Sequence, residues 1–311
     1  MLIEPSLLKV DPPIAPEPMT KKGIKLMNPA VPCIAKNGLN ILHEIFGLGV
    51  QTPPTPNLSD VVLIAIDFEN INTIKSGFAE KRDCQIGLAI LDTKEIHRQA
   101  PNTLVSTYNL ATGSPFNLRK ASEKFIFGET ITISTADVAE RIQSYIPPAR
   151  NIVFVGYGII NDLQALQALD FQFPALLSSV LDTSQVANNV FEIWGGSLGD
   201  LLLKLSCSFN RLHCAGNDAN FTLRALLLLA SEGFTRQQRF QTEDCDTLAI
   251  LRQISHDPIP CWTDPEVAAL EKREKRREKS RKHQSKTWSK EKQAEIRAAR
   301  QLTKERDMAF S

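Results

Sequence analysis

The sequence has no stretch of about 18 or more consecutive apolar residues, so no membrane-spanning helix is expected. Pro12 and Pro13 interrupt the start MLIEPSLLKVDPP before a signal-like apolar run can form, and secretion is not expected either. The six cysteines, Cys33, Cys84, Cys207, Cys214, Cys245 and Cys261, form no C-x-x-C pair. That absence argues against a zinc site and against a disulfide framework, and it favours reduced thiols in an intracellular protein of the nucleus or cytoplasm. Net charge is nearly absent as well, at +1 over 311 residues.

The near-zero net charge hides a division along the chain. Between Glu271 and Arg306 there are 15 Lys and Arg against 6 Glu, and the remainder holds 21 basic and 29 acidic residues. An acidic body therefore carries a basic tail. The 42% apolar content is ordinary for a globular protein with a real core.

Residues 1–57 contain ten prolines and read as an extended arm. Within it, Leu39, Leu42 and Phe46 fall at helical spacing, enough for a short helix that docks on the body or a transient helix in a linker. The body, residues 58–235, opens with Val61-Val-Leu-Ile-Ala-Ile66, a run suited to a strand buried on both faces. Cys84–Leu91 and residues 104–109 follow as strands, then a helix over 135–146 that Pro147-Pro148 stops. Asn151–Val155 is a fourth strand, residues 162–169 a helix, and Ser179–Asp182 a fifth strand. Ser197-Leu-Gly-Asp200 is a capping-box pattern, and a very apolar helix spans 217–232 with Gly233 as its stop. This order predicts an α/β domain with a mixed five-stranded sheet flanked by helices. A connecting segment, 236–266, leads to a basic helical or disordered tail, 267–311, in which Glu271 with Lys275 and Glu278 with Lys282 are spaced to support an exposed helix.

Acidic residues recur at the ends of the apolar elements. Asp67-Phe-Glu69 closes the first strand, where alternation sends both carboxylates to one side and Phe68 to the other. Asp162 follows another apolar strand through Gly156-Tyr-Gly158, and His213 precedes Asp218 by five residues. Read singly, Asp162 and Asp218 are helix caps and His213 a loop residue. Read together, four carboxylates and one histidine match what phosphodiester hydrolysis requires. Hard oxygen ligands hold two divalent cations, Mg2+ or Mn2+, roughly 4 Å apart, and a histidine titrating near neutrality accepts the proton of water. Asp92 and Asp182 are further strand-end acids, read as turn initiators.

These segments, Asp67-Phe-Glu69, Val155-Gly-Tyr-Gly-Ile-Ile-Asn-Asp162-Leu163 and His213-Cys-Ala-Gly-Asn-Asp218, resemble the three motifs of the DEDDh exonucleases, with their ribonuclease H-like fold. The resemblance is nearest to fungal exonuclease-like proteins linked by name to mRNA export. It implies metal ligation by Asp67, Glu69, Asp162 and Asp218, a general base in His213, and nucleotide contacts from Phe68, Asn70 and Tyr157. Tyr157-Gly158 stands where His-Asn is common in the family, and Asn70-Ile71-Asn72 replaces a common Thr-containing segment. The implied activity is metal-dependent 3′-to-5′ removal of nucleotides from a single strand, RNA preferred. An alternative is a messenger-ribonucleoprotein factor that keeps the fold but acts by binding RNA or protein partners. Endonuclease action in the manner of ribonuclease H fits the His213 to Asp218 spacing less well.

The tail packs eight basic residues into eleven positions: Lys272, Arg273, Lys275, Arg276, Arg277, Lys279, Arg281 and Lys282. That density suits phosphate contacts or a nuclear-import signal. Trp288 could stack on a base or contact a partner.

Overall fold

The computed structural model describes residues 31–49, 54–79, 81–237 and 242–260, with scattered helical positions between 273 and 298. In chain order, α1 (Gly38–Ile45) precedes β1 (Val61–Glu69), the short α2 (Ile71–Lys75), β2 (Cys84–Asp92) and β3 (Val105–Thr112). Then come α3 (Pro115–Lys124), β4 (Thr130–Thr132), α4 (Val138–Ser144), β5 (Asn151–Gly156) and α5 (Ile160–Ala168). The last elements are β6 (Leu177–Asp182), α6 (Thr183–Phe191), α7 (Leu198–Lys204), α8 (Ala215–Arg236) and α9 (Thr242–Ser255).

The strands form one mixed sheet in the order β4-β3-β2-β1-β5-β6. β1 pairs antiparallel with β2 and parallel with β5, so it is central and hydrogen-bonded on both edges. Its apolar run is buried on both faces because helices cover both sides of the sheet at this strand. Val61, Leu63 and Ala65 pack into the layer that holds α8, whereas Val62, Ile64, Ile66 and Phe68 pack against Ile74, Val138, Leu163 and Leu166 on the other face. The result is a sheet between two helical layers, with α8 as the main helix of one of them.

Six strands replace the expected five. The added β4 is three residues long and pairs with β3 at the sheet edge; a segment so short carries no alternation to read. Four helices are also additional, the five-residue α2 after Asn70 among them. α3 lacks an apolar stripe but has Ser114 as N-cap, accepting from the Asn117 N–H at 3.3 Å, and Pro115 at its first position. α6 begins on the cap of Asp182, and α9 lies in the expected connecting segment, packed against α8.

α8 begins at Ala215, two residues before the expected start, and it passes through Gly233 to Arg236. Gly233 is a contact point and not a stop: a Cβ there would lie 2.7 Å from the side chain of Leu39 and 3.1 Å from that of Val190. The missing side chain admits α1 and α6 against the helix. Leu39, Leu42 and Phe46 are buried, so the helix within the arm docks on the body. Residues 1–30 and most of the tail lie outside the described residues. Among the described residues no helix is long and apolar enough to cross a membrane.

Candidate functional site

The site forms where β1 runs out of apolar residues. Asp67 and Glu69 continue the series Val61, Leu63, Ala65 on the face that α8 covers. Opposite Asp67 in the β1–β2 register stands Gly87. A Cβ on Gly87 would fall 1.9 Å from the carbonyl oxygen of Ala215, so only glycine lets the N-terminus of α8 settle on the sheet here. The Gly216 N–H donates to Asn109 Oδ1 of β3 at 3.0 Å and fixes the landing point. Asp218, in the first turn of α8, is thereby carried to the end of β1.

Asp162 arrives from the other side, beyond β5. It lies in the first turn of α5, whose N-cap is Ile159, and its Oδ1 accepts the backbone N–H of Phe68 at 3.0 Å. The hydrogen bond therefore ties α5 to β1 between Asp67 and Glu69, which differs from the cap suggested by sequence alone. Asp182 accepts the N–H of Gly158 at 3.0 Å and of Ser184 at 2.9 Å. It braces the turn before Asp162 while capping α6, in line with a turn-initiating role. Asp92 caps Lys94 and pairs with Arg150 at the opposite end of β2.

His213 is exposed, with φ at +64°, and its Nδ1 lies 4.0 Å from Glu69 Oε1. Its backbone N–H donates to both oxygens of Asp218, at 3.2 and 2.9 Å, and its carbonyl accepts from Lys124 Nζ at 2.8 Å. Asn217 holds the same loop from within. Fully buried, it accepts the Ile126 N–H and donates to the carbonyls of Lys124 and Arg211. Asn217 stands inside the third motif without a role assigned to it, and Lys124 carries no signal in a single sequence, because their importance lies in a loop and a helix that meet only in the fold.

The electrostatics follow from this crowding. Asp67 is raised well above an ordinary carboxyl, first by burial and then by the charges of Asp162, Asp218 and Glu69. Burial lifts Asp162 to about 7, against the Phe68 hydrogen bond, with the Asp182 charge adding and Lys75 opposing. Burial lifts Asp218 to about 7 as well, opposed by the His213 N–H and Lys124 and assisted by Glu69. Several acids thus share a space in which the protein does not neutralise them. Ligand atoms of Glu69, His213 and Asp218 lie within 4.8 Å of one another, and a set dominated by carboxylate oxygens suits hard divalent cations. The residues present fit such ions.

The remaining candidates divide. Asn70 has φ at +65° and lines an open groove of about 680 Å³ with Phe68, Asn72, Lys75, Lys81 and Asn161. Phe68 is itself mostly buried in the opposite core, so its clearest contact with the cluster is its backbone N–H. The Tyr157 hydroxyl donates to the Gly196 carbonyl and accepts from Trp194 Nε1 at 2.9 Å, which fastens the loop after α6. In the tail, Arg273 and Arg277 are helical and exposed; Lys272, Lys275, Arg276, Lys279, Arg281, Lys282 and Trp288 lie outside the described residues.

Residues 62–229, more than half of the chain, match the family model DEDDh_C, described as DNA polymerase III subunit epsilon-like, C-terminal domain. The chain is 26% identical over 199 residues to an uncharacterized protein of Saccharomyces cerevisiae, YDR514C; the match covers 53% of this chain and 40% of the relative. It is 24% identical over 210 residues to the Good for full DBP5 activity protein 2 of the same yeast, covering 56% of this chain and 36% of that protein. The chain thus spans less than half the length of these relatives.

Proposed function

The chain belongs to the DEDDh family of DNA polymerase III epsilon-like domains, and from that premise we propose that it is a 3′-to-5′ exonuclease acting on single-stranded nucleic acid, RNA before DNA. The observation that carries this reading is the convergence of Asp67, Glu69, Asp162 and Asp218 beside His213, with three of the carboxyls pushed upward by burial.

Two divalent cations, Mg2+ or Mn2+, held by these four carboxylates would supply charge to the attacking water and the leaving oxygen. The protein's own part is positional. The Phe68 N–H and the His213 N–H orient Asp162 and Asp218 before any substrate arrives. His213, exposed beside Glu69, takes the proton of the attacking water on an imidazole nitrogen. Asn70 and the groove beside it receive the terminal nucleotide. The preference for RNA rests on the resemblance of Asp67-Phe-Glu-Asn70 and Ala215-Gly-Asn-Asp-Ala219 to exonuclease-like proteins linked by name to mRNA export.

The test is the shortening of a 5′-labelled strand in Mn2+ by the parent protein and by Asp67→Asn. A 3′ ladder that the substitution abolishes supports the reading; equal activity of the two proteins, or internal fragments, overturns it.

A second reading is a factor that supports a partner's activity by binding RNA or protein. It is favoured by the name of the yeast relative and by the Tyr157 hydroxyl, which is committed to Trp194 and Gly196. On that reading, deleting residues 267–311 abolishes function and Asp162→Ala does not.

A further inference from the structure

We propose that the outer face of α3 is the platform on which the single strand lies as it leaves the acidic cluster, Phe116 stacking on a base while Arg119 and Lys120 meet phosphates. The proposal rests on the nuclease reading above.

Phe116 is 65% exposed, and the other large apolar residues left exposed among the described ones, Ile160, Leu176, Ile193 and Leu203, are all aliphatic. The Arg119 guanidinium lies 5.8 Å from the Phe116 ring centroid, so the ring and the cation share one face, one helical turn apart. Lys120 continues that face and is exposed. The opposite face of α3 buries Asn117 and Ala121, so Phe116 is not required by the core. A ring paired with cations on a helix otherwise short of apolar surface is the chemistry of a stacking platform for single strands.

Position supports the same conclusion. At its start, α3 is tied to the groove beside Asn70: the Ser114 N–H and hydroxyl donate to Asp83, which lines that groove, at 2.6 and 3.0 Å. At its end it is tied to the His213 loop: Lys124 Nζ reaches the His213 carbonyl, and Arg211 donates to the Glu123 carbonyl at 2.6 Å. Ten helical residues cover roughly 15 Å. The exposed face thus runs from one border of the site to the other. Charge agrees: α3 carries Arg119, Lys120 and Lys124 against Glu123, whereas the chain outside the tail is acidic.

The experiment compares a dinucleotide with a strand of about ten nucleotides, long enough to cross a stacking platform. Phe116→Ala is expected to raise KM for the longer strand by roughly tenfold, the effect of losing one stacked base, and to leave the dinucleotide unaffected. Arg119→Ala should act in the same direction, and Phe116→Trp should restore the parent value. No change, or an equal change on both substrates with a lowered melting temperature, overturns the platform. If the parent cleaves neither substrate, the nuclease reading fails separately. Fluorescence anisotropy of the labelled longer strand in Ca2+ then decides the platform by itself: weaker binding by Phe116→Ala upholds it, and equal binding overturns it.

Discussion

Gly87 and Ala215 approach so closely that a Cβ on Gly87 would fall 1.9 Å from the Ala215 carbonyl oxygen. Because Gly87 pairs with Asp67, this contact sets how near the first turn of α8, and hence Asp218, comes to the end of β1. Gly87→Ala should push α8 outward. The expected cost is about 1–3 kcal/mol of stability, as for overpacking, with a much larger fractional loss of nuclease activity. Urea unfolding alongside a nuclease assay checks both; an active Gly87→Ala protein would contradict the role given to this contact.

The raised carboxyls make stability depend on pH and on metal. Asp162 and Asp218 sit near 7 in the fold, against 3.8 for an ordinary aspartate. Between those values the folded state holds protons that the unfolded chain has released. Their contribution is therefore fully present below about pH 4 and is lost as pH rises through about 7. Cations need the ionised form, so the stabilisation given by Mn2+ should grow from pH 5 to 8 and be accompanied by proton release. Thermal melts in EDTA and in Mn2+ across that range measure it. A metal effect that does not vary with pH would be the opposite result.

Asp67→Asn removes one of the crowded charges while keeping the shape of the side chain. Without metal, at pH 8, it should be more stable than the parent by roughly 0.5–2 kcal/mol, though inactive. Differential scanning fluorimetry in EDTA tests this directly, and a lower melting temperature would contradict the charge account.

Arg150 supplies a control far from the chemistry. It pairs with both oxygens of Asp92 at 2.6 Å and donates to the Asp60 carbonyl at 2.9 Å. Asp92 pairs with Val62, at the end of β1 remote from Asp67. Arg150→Ala should cost about 1–2 kcal/mol, since the pair is only partly shielded from solvent, and leave kcat unchanged at temperatures where the protein stays folded.

How much of this was legible in the sequence depends on whether the signal was local. β1 declared itself through an unbroken apolar run, and its parity alone put Asp67 and Glu69 on one face. The Ser197–Asp200 capping box is present because its hydrogen bonds lie within one turn. Asp162 and Asp218 could be read as caps, since the groups they bind, the N–H of Phe68 and the N–H of His213, become neighbours only when strand, loop and helix meet. α3 has a local start signal in Ser114-Pro115 but no apolar stripe to carry a helix beyond it, and the contacts of Ser114 with Asp83 and of Asn117 with the Thr112 carbonyl that hold it form only in the fold. Gly233 misled because a glycine that ends a helix and one that admits a neighbour look alike in sequence.

The most direct measurement is the fate of a 5′-labelled RNA with either a free or a blocked 3′ end, incubated with the full chain in Mn2+ or EDTA and with Asp218→Ala in Mn2+. The account predicts a ladder shortening from the 3′ end only with the free end, only in Mn2+, and only with the parent protein. Cleavage that persists in EDTA, on the blocked strand, or with Asp218→Ala would contradict it.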